Sequence, residues 1–323
     1  MINNVSKKLK SIIKIIFFNK IIKLFFNSVF IHKFSINYFN FIYENCSDFF
    51  VEIFVKLINQ PKFNYLWTIY LKNKRKVLVE VRTDNPRSFE YSLSYKWHDR
   101  PLRDVEIIFN NYYPRHYYYL DIGANYGLRS IYALSIGRPV ILFEPNCSIN
   151  NFTTQIFKIN NFNNFKLENL CISDKTGEVE FYLSENTYES SLYKFDYAIK
   201  KIKVSSITLD EYFSGLINEI IPRIIKIDVE GAEYEVFKGA EKTIVKYEPT
   251  LFIEILKDST TRNQLMSELF KLKYKCVALK NGLFKNFINL NQSNFEEMSQ
   301  YCTNYLFTKD SDALKKIKLH DLS

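Results

Sequence analysis

The 323 residues are 47% hydrophobic and 17% aromatic and carry a net charge of +9. Such a chain can fill a sizeable core, which excludes a disordered protein, and its length fits one large domain or a catalytic domain with an appendage. The charge is unevenly placed: residues 1–33 hold many lysines and no acid, so the balance says little about a substrate. Cys46, Cys147, Cys171, Cys276 and Cys302 are scattered, as are His32, His98, His116 and His320. That dispersal predicts reduced, buried thiols in a cytoplasmic protein, with no disulfide frame and no zinc site. His116, just ahead of the first core strand, stands at the wrong end of that strand for chemistry.

Residues 1–62 read as a basic helical extension. Lys14, Lys20 and Lys23 interrupt the apolar texture from Ile12 to Ile31. No run reaches the ~18–20 apolar residues of a membrane span, and no small-residue cleavage site marks a signal peptide. The stretch predicts peripheral contact with the inner face of an anionic membrane, or packing on the catalytic domain or a partner subunit. Residues 63–112 read as a small flank or lid. Strands are expected at Tyr65–Leu71, Val77–Arg82 and Phe89–Tyr95, then a helix at Leu102–Asn110. Trp97 and His98 lie in this flank, with Trp97 read as packing.

The stretch Tyr117–Gly127, YYYLDIGANYG, opens a main domain over residues 113–310. An aromatic and aliphatic run ends in Asp121-Ile122-Gly123; a tight small-residue turn follows, then a helix from Leu128 to Ile136. A second apolar run, Pro139–Phe143, stops at Glu144. Strand, glycine turn, helix, strand and acid make the first half of a nucleotide-binding βαβ unit. Gly123 and Gly127 let the backbone turn sharply and approach a ligand. The helix start offers free N–H groups to a carboxylate or phosphate. Glu144 stands near the offset of about 20 residues at which an acid grips ribose hydroxyls. The spacing is G-x-x-x-G, not the G-x-G-x-x-G of a dinucleotide site. An adenosine without phosphates fits better, with Asp121 facing a cationic group, and this points to S-adenosylmethionine (SAM). The alternative is an α/β core whose turn needs glycine for its own geometry.

Further on, the pattern predicts a helix at Ser148–Asn160 and a strand at Phe165–Ile172 ending in Ser173-Asp174. A hairpin turn leads into Glu178–Leu183, a loop at Glu185–Lys200 lies over the site, and a short strand covers Lys201–Ser205. A helix begins at Thr208. Strand Arg223–Val229 ends in Glu230-Gly231-Ala232-Glu233, followed by a helix at Tyr234–Lys246 and a strand, Thr250–Leu256, carrying Glu254. A helix at Thr261–Leu272 and strands at Tyr274–Leu279 and Asn304–Thr308 complete the domain, and residues 311–323 form a tail. Apolar strands alternating with helices mean a mainly parallel sheet covered on both faces. Its site lies beyond the carboxyl ends of the strands, where Asp121, Glu144, Ser173, Asp174, Asp228, Glu230 and Glu254 are expected. Asp174 also reads as a turn former, Glu230 as a helix cap, and Glu233 and Glu235 as acids favoured by a helix's first turn.

DIGANYG at Asp121–Gly127, FEP at Phe143–Pro145 and IKIDVEGAE at Ile225–Glu233 resemble the FkbM-type SAM-dependent methyltransferases. So do ISDKTGEVEFY at Ile172–Tyr182, SSL at Ser190–Leu192, FKGAE at Phe237–Glu241, LFIEI at Leu251–Ile255 and NYLF at Asn304–Phe307. The resemblance spans roughly residues 100–310. It implies a class I, Rossmann-like methyltransferase fold with a seven-stranded sheet whose last strand is antiparallel. It also implies O-methylation of a hydroxyl on a sugar, glycan or secondary metabolite, in surface polysaccharide or glycolipid modification. Carried over by position, Asp121, Gly123, Asn125 and Gly127 would hold the methionine side of SAM and Glu144 the ribose, with Ser173 and Asp174 near the adenine.

The sulfonium of SAM departs as a neutral thioether, so the enzyme must align a nucleophile and remove its proton. Asp228 is the first candidate base, with Glu230 and Glu254 second. The same three acids are oxygen ligands suited to Mg²⁺ with waters, a reading ranked below the simple base. The expected acceptor is a small molecule or glycan. A nucleic acid is disfavoured because the Asn/Asp-Pro-Pro-aromatic motif of base-amine methylation and a basic-aromatic stripe are both missing. Two other classes compete: a nicotinamide-dependent oxidoreductase of similar fold and a non-catalytic adenosine-binding scaffold. The acceptor's identity and the oligomeric state are left open.

Overall fold

A computed structural model describes residues 64–71, 73–82, 100–184, 190–193, 198–216, 220–256, 259–279, 287–291, 295 and 302–320. The readings on residues 1–62, on Phe89–Tyr95 and on Trp97 and His98 lie outside the described residues. Of the loop expected over 185–200, residues 190–193 are described, while 198–200 begin a strand, Ala198–Ile207, instead. The chain divides into two compact units, Met1–His98 and Asp99–Ser323.

In the first unit, β1 (Tyr65–Tyr70) and β2 (Lys76–Val81) form an antiparallel hairpin. Side chains alternate across it, so Trp67, Ile69, Val77, Val79 and Val81 are buried on one face. The turn uses Lys74 at φ 62° and the Asn73 side chain, which accepts the Arg75 N–H at 3.1 Å.

The second unit starts with α1 (Arg100–Tyr112), followed by β3 (Tyr118–Ile122), α2 (Ser130–Ser135), β4 (Val140–Phe143), α3 (Cys147–Ile159) and β5 (Phe165–Glu168). Next come β6 (Cys171–Ile172), β7 (Gly177–Ser184), β8 (Ala198–Ile207), α4 (Leu209–Ser214) and β9 (Pro222–Ile227). The remainder is α5 (Glu233–Lys238), α6 (Glu241–Tyr247), β10 (Thr250–Glu254), α7 (Arg262–Lys271), β11 (Lys275–Leu279), β12 (Phe287–Leu290), β13 (Asn304–Thr308) and α8 (Ser311–His320). An eight-stranded sheet runs in the order β12-β11-β13-β10-β9-β3-β4-β5. Strands β5, β4, β3, β9 and β10 are mutually parallel, and β13 enters antiparallel between β10 and β11. This is the expected seven-stranded arrangement with one more strand, β12, paired antiparallel on the outer side of β11.

The central strands are apolar almost throughout because both faces are covered. Leu120, Ile122, Ile141, Phe143, Ile225, Ile227, Leu251 and Ile253 form one face of the core with Val236, Phe237, Leu265 and Met266 from the helices. On the opposite face, Phe109 of α1 meets Phe252 edge-on with ring centroids 5.7 Å apart. Each such side chain contributes about 1.5–3 kcal/mol by burial.

Helix α1, drawn with the flank from sequence alone, belongs to the larger unit. Its Glu106 is buried, accepts the Tyr119 hydroxyl at 3.2 Å and lies 3.7 Å from Arg129. The buried Arg138 guanidinium ties the C-terminal end of α1 to the start of β3. It donates to the carbonyls of Asn110, Tyr113, Pro114 and Tyr117 at 2.8, 2.9, 3.1 and 2.7 Å.

Two further expectations change. The strand expected over Phe165–Ile172 breaks after Glu168. Its second part, β6, leaves the main sheet for a three-stranded one ordered β6-β8-β7. The helix expected over Tyr234–Lys246 breaks at Gly239-Ala240. There the chain passes so close to β6 that a Cβ on Gly239 would lie 1.9 Å from the Ser173 carbonyl oxygen. Residues 311–320 of the expected tail form α8.

Candidate functional site

Strand β3 lies between β4 and β9, and the chain reverses its course across the sheet there. Such a switch point opens a crevice beyond the strand tips. The Gly123 and Ala124 N–H groups both donate to the Phe143 carbonyl, at 3.0 and 3.1 Å, while the Asp228 N–H donates to the Ile122 carbonyl at 3.0 Å. Gly123 has φ +76°, and a Cβ there would stand 1.8 Å from the Asp228 carbonyl oxygen. Gly127, at φ +68°, would put a Cβ 2.8 Å from both Phe157 and Thr153 on α3. The room these glycines leave is therefore filled by the protein's own β9 exit and helix α3.

Glu144, directly after β4, is buried. One carboxylate oxygen accepts the Asn125 N–H and the other the Asn146 N–H, both at 2.8 Å. The glycine turn and the start of α3 are thus fastened to one acid, with Asn125 in the left-handed region at φ 49°. Asn146 caps α3, its side-chain oxygen accepting the Ser148 N–H at 3.1 Å. Asn150 donates to the Glu144 carbonyl at 2.9 Å and to the Asn169 side chain. Burial pushes the Glu144 carboxyl up to about 7, against the pull of the Asn146 and Asn125 N–H groups. The sequence reading named Asn125 but missed Asn146 and Asn150. The E-P-N-x-S pattern after β4 is the signal that could have marked Asn146 as a cap.

Asp121 is fully buried at the end of β3. Its Oδ2 accepts the Ser130 hydroxyl at 2.7 Å, and its Oδ1 makes no hydrogen bond and lies 3.8 Å from the Lys226 ammonium. Lys226 sits beside it in register on β9 and bonds Asp228 Oδ2 at 2.9 Å. Burial alone would lower the Lys226 ammonium, but Asp228 and Asp121 outweigh it and hold the group above its usual range. Burial raises the Asp121 carboxyl, opposed by Lys226 and the Ser130 hydroxyl. The cation that Asp121 was expected to face is thus matched, in this structure, by the chain's own lysine. That residue was missed because a lysine inside an apolar strand gives no local sign that it is buried.

Past Asp228 the chain turns through Glu230 at φ 53° and Gly231 at φ 105°. The cap position of the following helix is Ala232, not Glu230, and the Glu233 carboxylate accepts the Gly231 N–H, at 2.9 Å. Burial pushes Glu233 up to about 7, against that N–H, with the Asp228 charge adding to the rise. The described part of the expected loop is fastened to this turn. Ser191 donates to the Glu230 carbonyl at 2.7 Å, and the Tyr193 hydroxyl donates to Glu235.

The structure therefore brings Asp121, Asp228 and Glu230 to the tips of β3 and β9, with Glu144 on the β4 side. Glu254 ends β10, one strand further out, opposite Asn304 of β13. Ser173 and Asp174 follow β6 in the small sheet rather than a strand of the main one, because the chain has already left β5. A Cβ on Gly239 would be 3.4 Å from Asp174 Cα, which places Asp174 beside the break between α5 and α6. Among the described residues no group of three or more His, Cys, Asp or Glu is placed to hold a metal ion. No helix among them is long and apolar enough to cross a membrane.

This strand order, its antiparallel β13 and the acids at the tips of β3, β4 and β9 define the class I fold of SAM-dependent methyltransferases. The Methyltransferase FkbM domain matches residues 121–307, more than half of the chain, and the chain belongs to that family. No curated protein matches it. Among solved structures it is similar to methyltransferase FkbM from Methylobacillus flagellatus KT. That likeness has 15% identity and a TM-score of 0.42 and covers 69% of this chain and 54% of the other. The chain thus spans about half the length of that protein. It is also similar to precorrin-6y C5,15-methyltransferase from Geobacter metallireducens GS-15, with 15% identity, TM-score 0.37 and coverage of 64% and 88%. A third is the Pyrococcus abyssi tRNA (uracil-54, C5)-methyltransferase in complex with S-adenosyl-L-homocysteine, with 15% identity, TM-score 0.37 and coverage of 75% and 43%.

Proposed function

We propose that the protein transfers a methyl group from SAM to a hydroxyl of a sugar, glycan or secondary metabolite, in modification of a surface polysaccharide or glycolipid. The observation that carries this reading is the row of carboxylates at the switch point, among which Lys226 is a buried cation. Two acids already match that lysine, so it leaves no charge over for a pyrophosphate. This weighs against a nicotinamide dinucleotide, whereas a cationic adenosyl donor suits carboxylates on both sides of β3. Contact with the inner face of the membrane through basic residues 1–62 goes with the same reading.

The residues present fit SAM. Glu144 would accept the ribose hydroxyls, since each of its oxygens keeps a lone pair beyond the one used by Asn125 or Asn146. The turn Asp121-Gly123-Asn125-Gly127 would hold the methionine end, with Ser173 and Asp174 toward the adenine. When bound, SAM supplies a methyl group on a sulfonium. The protein's own part is to orient the acceptor hydroxyl, exclude water and take its proton. Asp228 is the first choice for that proton, oriented by Lys226, with Glu230 and Glu254 behind it.

Two measurements test this. Calorimetry with SAM is expected to show binding that weakens as pH falls through about 7, where Glu144 takes up its proton and loses acceptor capacity. Glu144→Gln turns an amide N–H toward one of two backbone N–H donors. It is expected to weaken SAM tenfold or more, about 1.4 kcal/mol, and to abolish that pH dependence. For the chemistry, sugar nucleotides and purified surface glycan are screened for methyl gain by mass spectrometry. Asp228→Asn is expected to lower turnover about a hundredfold or more with SAM still bound, and EDTA to leave it unchanged. A rate abolished by EDTA would replace the base by a Mg²⁺ mechanism.

A further inference from the structure

We propose that Tyr193 is the platform on which the acceptor sits, and that it takes a sugar ring by that ring's apolar face. The inference rests on the methyl-transfer reading above and names the acceptor side of the same site. Tyr193 is 48% exposed, yet it is held from several directions. Its hydroxyl donates to Glu235 and its N–H donates to the Ser191 hydroxyl at 3.2 Å. Ser191 in turn donates to the Glu230 carbonyl and pairs through its backbone with Tyr182, at 2.8 and 3.0 Å. The ring lies over the β9 turn: a Cβ on Gly231 would be 3.7 Å from Tyr193 Cδ2.

An aromatic side chain fixed this firmly and left half in water gains little from its own packing. Such residues are characteristic of binding surfaces, where an apolar face and a polar tip are both used. The surroundings decide what chemistry it suits. Asp174 and Glu233 are close enough for their charges to act on the Tyr193 hydroxyl, and Glu235 is bonded to it. Asp228 and Glu230 belong to the turn beneath. Glu235 keeps its second oxygen, Oε2, buried without a hydrogen-bond partner. A flat apolar surface rimmed by carboxylates accepts the hydroxyls of a pyranose while the ring stacks its C–H face. The same acids repel a phosphate, so the reacting end of the acceptor is a neutral sugar and not a nucleotide or nucleic acid.

Saturation-transfer NMR on the full chain tests this, with methyl glycosides of the common hexopyranoses as probes and S-adenosylhomocysteine present. Wild type is expected to pass saturation to the ring C–H protons of at least one glycoside. Tyr193→Ala is expected to reduce that transfer at least tenfold, while Tyr193→Phe keeps it. SAM affinity by calorimetry is expected to stay within twofold in both variants, and the exposed position keeps either from disturbing the fold. Transfer that persists in Tyr193→Ala overturns the proposal, and so does a wild type that binds SAM but passes saturation to no glycoside. A wild type that binds no SAM overturns the methyl-transfer reading itself, and the platform with it.

Discussion

Gly123→Ala is expected to destabilise the whole sheet, not merely to narrow a ligand site. The new Cβ would stand 1.8 Å from the Asp228 carbonyl oxygen, 2.8 Å from its carbon and 3.2 Å from Val229 Cγ1. The first two are backbone atoms of the β9 exit, which cannot withdraw without breaking the Asp228 N–H bond to Ile122, 3.0 Å long. Alanine in the left-handed region adds about 1–2 kcal/mol of its own. A loss of about 3 kcal/mol or more is expected, read from the midpoint of urea unfolding. Gly127→Ala is the control. It carries the same left-handed penalty, but its Cβ meets the ends of side chains, Phe157 and Thr153, which can yield, so its loss is expected to stay near that penalty alone, about 1–2 kcal/mol. A Gly123→Ala protein as stable as wild type that has lost only SAM binding would mean instead that this glycine serves the approach of the ligand and not the packing of the sheet.

That contrast marks what the chain made legible and what it did not. Asp121, Glu144 and Asp228 could be placed because a parallel sheet puts the ends of its apolar runs on one edge, and these runs end in acids. The roles of the glycines could not be read, because whether a missing Cβ makes room for a ligand or for another strand depends on what lies opposite. The break at Gly239 has the same origin: helical periodicity continues through it, and the reason for the interruption is the Ser173 carbonyl, distant in sequence. Strand β12 escaped notice as four residues, FINL, among polar neighbours. Arg138 and Lys226 were hidden by a composition rich in basic residues. Their burial, and hence their importance, is created only when carbonyls or carboxylates from other elements converge on them.

Lys226 allows the sharpest test of the charge arrangement. Lys226→Met keeps the apolar stem but leaves Asp121, wholly buried, and Asp228 without their shared cation. Removing one partner of a buried ionic group costs about 3–5 kcal/mol, far more than the intact group contributes, because the remaining charge stays out of water. The pH dependence follows from direction. Burial already raises the Asp121 carboxyl in the folded state, and the loss of Lys226 raises it further. A carboxyl that holds its proton more tightly when folded favours folding as pH falls. The deficit of the variant should therefore be greatest above the raised value and shrink as pH drops toward the ordinary carboxylate range. The lysine's own contribution has the opposite sense: its folded ammonium is raised, so what it supplies is complete at neutral pH and is lost only in strong alkali. Urea unfolding at several pH values separates the two. A second change, Asp121→Asn, should recover part of the loss in the Lys226→Met background while destabilising wild type, since it removes the stranded charge in one case and breaks a satisfied pair in the other. Equal effects in both backgrounds would mean that Lys226 serves Asp228 alone, and that the acids on the two strands bordering the crevice are set independently.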